Sequence, residues 1–126
     1  MATKWTIGRD AADPASLARF WAAALGYVIE PGFDSPDNTS IIDPDDELPA
    51  IGFLRVPEPK TAKNRLHIDI RVAGPGERDA ASAEQMRTKA AALVELGATQ
   101  VREELYGSEL GHVVMLDPEG NEFCVG

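Results

Sequence analysis

The sequence is poor in residues that cross-link a protein or carry positive charge. Cys124 is the only cysteine, so the chain can form neither an intrachain disulfide nor an all-cysteine metal site, as is typical of a reducing compartment. Only 12 Lys and Arg stand against 21 Asp and Glu, which gives a net charge of −9. Because this charge repels phosphate backbones and anionic lipid surfaces, we expect neither nucleic acid nor a membrane as a partner.

Long apolar runs are also missing. No stretch approaches the roughly 20 apolar residues of a membrane span, and the opening residues, MATKWTIGRD, lack the apolar segment of a signal peptide. We therefore expect a cytoplasmic protein. Hydrophobic residues make up 44% of the 126, so the chain can bury its own core and is expected to form one domain over residues 1–126.

What the sequence does contain is an internal duplication. A Leu-Gly pair ends a predicted helix at Gly26 and again at Gly97, and each helix follows a strand and precedes three short strands. The two modules span about residues 3–57 and 65–126, and a proline-bearing connector, residues 57–64, joins them. Because neither module can cover its own apolar face, we expect an α+β fold with a pocket between the two.

Turn residues and apolar spacing predict the individual elements. Asp13 is typical of the residue that caps a helix start, and Ser82 with Gln85 predicts a capping box at the start of the second helix. Residues 31–32 are expected to end the second strand, and residues 117–121 to form a hairpin turn. The predicted strands span residues 5–10, 27–30, 39–42 and 51–56, then 65–71, 99–105, 112–116 and 122–125.

The predicted fifth strand, residues 65–71, has the clearest alternation in the chain. Leu66, Ile68 and Ile70 alternate with four polar residues, so one face of the strand is apolar and the other polar. The polar residues are Arg65, His67, Asp69 and Arg71. A polar strand face of this kind is a candidate pocket wall.

The modules, together with residues 20–26 (FWAAALG), 64–69 (NRLHID) and 117–123 (DPEGNEF), resemble the vicinal oxygen chelate (VOC) superfamily, in its glyoxalase-like and bleomycin-resistance-like branch. The resemblance spans nearly the whole chain. It implies two βαβββ modules that form a curved, half-open eight-stranded cup with helices outside, the glyoxalase/bleomycin-resistance fold. It also implies a small organic molecule in the cup and a homodimer, for which an open sheet edge gives a physical reason.

The resemblance also implies a ligand set that can be checked residue by residue. Many members hold a divalent metal with His and Glu from the first, fourth, fifth and eighth strands. The corresponding residues are Thr6, His67 and Cys124, and the fourth strand offers no ligand. This is a poor set for a hard cation, so no cofactor is predicted, and a divalent metal on His67 and Cys124 is the metal-bound alternative. Asp69 shares the face of His67, but same-face neighbours lie about 6.5 to 7 Å apart, which argues against one shared ion.

We therefore predict a glyoxalase-like protein that binds a small organic molecule without metal, by sequestration or by weak acid–base chemistry. His67 and Asp69 are the candidate catalytic residues, because imidazole is the usual side chain for proton transfer near neutral pH. The predicted ligand-binding residues are Thr6, His67, Asp69, Arg71, His112 and Cys124. Two alternatives stay open: a metal-dependent lyase, isomerase or dioxygenase of the same superfamily, and a non-catalytic structural or regulatory module.

Several of these residues also have simpler explanations. His67 could be a wall histidine that is bonded to Asp69 and has no chemistry of its own. Cys124 could be a buried structural thiol, since no motif places a base beside it. His112 could be a solvated residue at the start of a strand.

Overall fold

A computed structural model of the chain describes residues 1–76 and 78–126, which form two compact units that divide between Pro59 and Lys60. The first unit contains β1 (Ile7–Ala11), α1 (Pro14–Leu25), β2 (Val28–Asp34), β3 (Asn38–Ile42) and β4 (Ile51–Arg55). The second contains β5 (Asp69–Ile70), α2 (Ala80–Glu95), β6 (Thr99–Tyr106), β7 (Glu109–Leu116) and β8 (Glu122–Val125). Within these described ranges, neither helix is long and apolar enough to cross a membrane.

The two units have the same topology. Their strand orders are β1-β4-β3-β2 and β5-β8-β7-β6, so the first strand of each unit lies beside its last. That pairing is parallel in both sheets, whereas the other pairings are antiparallel. The predicted α+β class and the duplicated βαβββ module are therefore confirmed.

Helix α1 begins and ends at the residues that the sequence predicts. The Asp13 side chain accepts a hydrogen bond from the Ser16 N–H, and Gly26 ends the helix in the left-handed conformation, with φ of 74°. The apolar stripe of the helix packs against β3 and β4, where Trp21 and Phe53 are buried. Burial of side chains this large is the main stabilising contribution to the unit.

Two predicted boundaries in the first unit are wrong by two residues or more. Strand β1 begins at Ile7 rather than at residue 5, and β2 runs through Pro31 and Gly32 to Asp34. Because β2 is an edge strand, the missing N–H of Pro31 need not break the sheet. Its pairing with β3 is irregular between Ile29 and Asp34, and Gly32 has a φ of 86°, so the strand continues by bending.

Helix α2 begins earlier than predicted. The capping box consists of Asp79 and Ser82, in place of the expected Ser82 and Gln85. The Ser82 N–H donates to the Asp79 carboxylate at 2.8 Å, and the Asp79 N–H donates to the Ser82 hydroxyl at 2.9 Å. An aspartate caps a helix as well as a serine does, so Asp79 was an available N-cap three residues upstream of Ser82.

Strand β5 is much shorter than the predicted strand over residues 65–71. Only Asp69 and Ile70 pair as strand, and Leu66 is 64% exposed. The side chain of Asn64 bonds this part of the chain to the start of β8: it donates to the carbonyls of Leu66 and Glu122 and accepts the Glu122 N–H at 2.8 Å. These side-chain hydrogen bonds take the place of the backbone strand pairing that was expected for residues 65–68.

The hairpins that end the second unit differ in how well they were predicted. The turn at residues 117–121 is confirmed: the buried Asp117 accepts hydrogen bonds from the backbone N–H groups of Glu119 and Asn121, both at 2.9 Å. By contrast, β7 begins at Glu109 rather than at residue 112, and β6 extends to Tyr106. The expected loop over residues 106–111 is therefore a tight hairpin, in which Gly107 has a φ of 68°.

Candidate functional site

The second unit contains a concavity of about 410 Å³ against one face of its sheet, which we call the site concavity. This volume lies within the range of small-molecule pockets. Five of the six predicted ligand-binding residues line it: His67, Asp69, Arg71, His112 and Cys124. The structure therefore brings most of the candidate residues together within one unit.

Strand register explains why these side chains share one face. Asp69 pairs with Cys124, Cys124 with Val114, and Val114 with Arg102, so one row crosses the whole sheet. Successive residues of a strand point to opposite faces. Phe123, the neighbour of Cys124 in β8, is accordingly fully buried on the other face.

His67, Asp69 and Cys124 form a compact cluster at one end of the site concavity. The His67 Nε2 lies 3.5 Å from the Asp69 Oδ1, and one donor atom from each of the three side chains lies within 4.8 Å of the others. The expectation that Asp69 stands too far from His67 to share a group with it is wrong. Because His67 precedes the two-residue strand, strand spacing does not hold the two side chains apart.

Cys124 is a buried thiol whose surroundings disfavour ionisation. It is 8% exposed, and burial raises its pKa, with a further contribution from the carboxylates of Asp69 and Glu122. A thiolate is both the nucleophile and the metal-binding form of cysteine. Its environment therefore favours the structural explanation of this residue.

The cluster offers one nitrogen, one oxygen and one sulfur donor to a cation. Hard ions such as Mn²⁺ and Mg²⁺ prefer several oxygen ligands, and the cluster supplies a single carboxylate. A softer ion such as zinc accepts this donor set in number and type. It would require Cys124 to lose a proton that burial retains, so the residues fit a resident metal poorly.

A tyrosine and a histidine form a second polar pair in the site concavity. The Tyr106 hydroxyl lies 2.7 Å from the His112 Nδ1. Gly111 makes this contact possible, because a Cβ at that position would overlap the Tyr106 ring. His112 is half-buried and lies inside β7 rather than at the start of a strand.

Eight lining residues were not predicted, and four of them carry polar side chains: Arg78, Arg102, Tyr106 and Glu122. Tyr106 and Arg102 lie on β6. The spacing of two between Arg102, Glu104 and Tyr106 along that strand is a signal that could have identified them. Arg102 donates to Glu104 at 2.5 Å, which holds the pKa of that carboxyl below its usual range. Arg78 lies before the N-cap of α2, and no local pattern marks it as a site residue.

Thr6 lies apart from this group, in the first unit. It is exposed and precedes β1, because that strand begins one residue later than Thr6. It lines a different hollow, formed by residues 2–6 and 46–50. Its role in ligand binding stays a prediction.

Comparison with known proteins identifies relatives of the whole chain. The family described as glyoxalase-like domain matches residues 6–126. Among curated proteins, none matches the sequence significantly.

Solved structures of similar fold are numerous. A glyoxalase/bleomycin resistance protein/dioxygenase family enzyme from Burkholderia phytofirmans superimposes with a TM-score of 0.73 and 16% identity, over 98% of this chain and 97% of its own. A possible glyoxalase from Bacillus cereus gives 0.67 and 16%, over 98% of both chains.

A third similar structure carries ligands. It is a variant of the fosfomycin resistance protein from Listeria monocytogenes in complex with Mn(II) and a dihydroxypropylphosphonic acid. It gives a TM-score of 0.69 and 12% identity, over 99% of this chain and 90% of its own. At these identities the similarity establishes the fold.

Proposed function

Because this chain belongs to the glyoxalase-like domain family, within the VOC superfamily, we propose that it binds a small organic molecule in the site concavity without a resident metal ion. The observation that carries the proposal is the polar face of the second sheet, where separate elements contribute side chains to one hollow of about 410 Å³. Convergent polar side chains around a hollow of this size are a feature of small-molecule sites, and here they surround the buried Val114 and Cys124.

The cluster at His67 supports binding or weak proton transfer. The Asp69 Oδ1 lies 3.5 Å from the His67 Nε2, close enough to help orient the ring, and His67 can accept a proton from, or donate one to, a molecule beside it. The buried thiol of Cys124 forms part of the apolar floor beneath this pair.

The chain contains its own reporters for testing this proposal. Its only two histidines, His67 and His112, both line the site concavity, whereas its only two tryptophans, Trp5 and Trp21, lie in the first unit. NMR titration with small aromatic and aliphatic carboxylic acids and with their amides should move the histidine ring resonances saturably for at least one compound. The tryptophan indole resonances are the internal control.

Two results would contradict the proposal. One is that no compound shifts the histidine rings at millimolar concentration. The other is that every saturable shift is confined to the indoles of Trp5 and Trp21. A true ligand of the folded state must also raise the melting temperature in proportion to its affinity and concentration.

The convergence of His67, Asp69 and Cys124 favours a second candidate, a metal-dependent lyase, isomerase or dioxygenase. Metal analysis of protein purified without a chelating tag distinguishes the two candidates. Stoichiometric nickel, zinc, iron or manganese that is lost in His67→Ala would establish the second candidate and overturn the metal-free proposal. Substoichiometric metal that is equal in wild type and variant would support the metal-free proposal.

A further inference from the structure

Beyond the cluster of His67, Asp69 and Cys124, the site concavity contains side chains with N–H donors that lie close to Gly126. The Gly126 N–H donates to the Ile70 carbonyl, and the Gly126 carbonyl accepts from the Val72 N–H, both at 2.8 Å. In a parallel pairing this pattern places residue 71 directly beside residue 126. Arg71 therefore lies next to Gly126 across the strand pair.

Two further residues meet at the same glycine. A Cβ built on Gly126 would lie 3.6 Å from the His112 Cβ and 3.7 Å from the Arg78 Nη2. The missing side chain of Gly126 therefore leaves room between Arg78 and His112. All three residues, Arg71, Arg78 and His112, line the site concavity.

These two arginines have no anionic partner in the part of the chain that the structure describes. Arg71 and Arg78 form neither an ion pair nor a side-chain hydrogen bond with residues 1–76 or 78–126. Glu109 lines a neighbouring hollow together with Arg78, yet no ion pair joins the two.

By contrast, each of the two carboxylates that line the site concavity lies close to a basic side chain. Asp69 contacts His67 at 3.5 Å, and Glu122 contacts Lys63 at 3.4 Å. Glu104, on the neighbouring strand β6, is bonded to Arg102. Arg71 and Arg78 therefore differ from Arg102, the third arginine of the site concavity, in having no anionic partner among the described residues, although the chain has a net charge of −9.

We propose that Arg71 and Arg78 bind the carboxylate or phosphonate group of an organic acid at this end of the site concavity. The inference rests on the proposed function and specifies its ligand class. Guanidinium groups present paired N–H donors that match the oxygens of such anions, and bonds of this charged kind are the strong ones. The volume beyond the arginines accommodates the organic part of the ligand, over Val114 and Cys124.

Matched pairs of probes and variants test the inference. The probes are benzoate, phenylphosphonate, benzamide and inorganic phosphate, and the readout is the saturable shift of the histidine ring resonances. The variants are Arg71→Gln and Arg78→Gln. The control is Arg65→Gln, which removes the same charge from an exposed arginine outside the site concavity that also lacks an ion pair with the described residues.

We expect the organic anions to bind at least about tenfold more tightly than benzamide, with a similar loss in Arg71→Gln and Arg78→Gln but not in Arg65→Gln. Benzoate and phenylphosphonate distinguish the two acid groups, and tighter binding of inorganic phosphate than of either would overturn the organic-acid assignment. Equal binding of benzoate and benzamide, or anion binding unchanged in both variants, would overturn the inference and leave the proposed function intact. Binding of no probe would overturn the inference. The proposed function would be overturned as well only if the wider set of carboxylic acids and amides also left the histidine rings unshifted. Urea unfolding of each variant is compared with that of wild type, and an equal free energy of unfolding shows that a loss of binding does not come from a loss of folding.

Discussion

Replacing Gly111 by alanine tests whether the contact between Tyr106 and His112 is built into the backbone. A Cβ on Gly111 would overlap atoms of the Tyr106 ring, including the ring carbon nearest the backbone. The ring cannot avoid the new methyl group without moving as a whole. Tyr106 is 55% exposed, so it can swing outward, and the 2.7 Å bond to His112 would then be lost.

The expected cost follows from these contacts. Overpacking typically costs about 1–3 kcal/mol, and outward movement of the ring replaces that strain by the loss of one hydrogen bond worth about 1 kcal/mol. We therefore expect Gly111→Ala to lower the free energy of unfolding by about 1–3 kcal/mol in urea titrations. The dependence of that free energy on urea concentration should not change. The ring resonances of His112 should move at the same time.

A control and a double-mutant cycle isolate the cause. Gly8 lies in β1 with no atom within 4 Å of a built Cβ, so Gly8→Ala should be neutral or stabilise by up to about 1 kcal/mol. In a Tyr106→Ala background the obstacle is gone, and Gly111→Ala should cost nothing there. If the cost of Gly111→Ala is the same with and without the tyrosine ring, the reasoning is wrong.

Three further outcomes are expected. Asp117→Ala removes the acceptor for two backbone N–H groups of the β7–β8 turn, and it should lower the free energy of unfolding by about 2–4 kcal/mol in urea, whereas a loss below about 0.5 kcal/mol would contradict the assigned bonds. The raised pKa of Cys124 means that the folded chain holds the thiol proton more tightly than the unfolded chain, so stability should be complete below the ordinary value of 9.0 and should fall as pH rises above it. Urea titrations on both sides of that pH check this, and Cys124→Ala should lose that part of the pH dependence. A chelator should leave the melting temperature and the probe titrations of wild type unchanged, and a drop that zinc restores would contradict metal-free binding.

Local patterns predicted the parts of the fold that local chemistry controls. The Asp13 cap, the left-handed Gly26 and the turn at residues 117–121 depend on hydrogen bonds and φ angles within a few residues. The alternation around Asp69 predicted a shared polar face, and of its four residues His67, Asp69 and Arg71 line the site concavity, whereas Arg65 does not. It could not predict the length of β5, because the side chain of Asn64 replaces strand bonds through a contact with Glu122, a residue 58 positions away.

The sequence by itself determined two copies of one module and the polar strand face of the second copy. Helix caps, turns and a period of two depend only on residues that are close together in the chain. Only the tertiary structure decided that Arg71, Arg78 and His112 meet around Gly126. The physical reason is that strand pairing joins residues far apart in the chain. A side chain's face follows from its own strand, whereas its neighbours across the sheet follow from register.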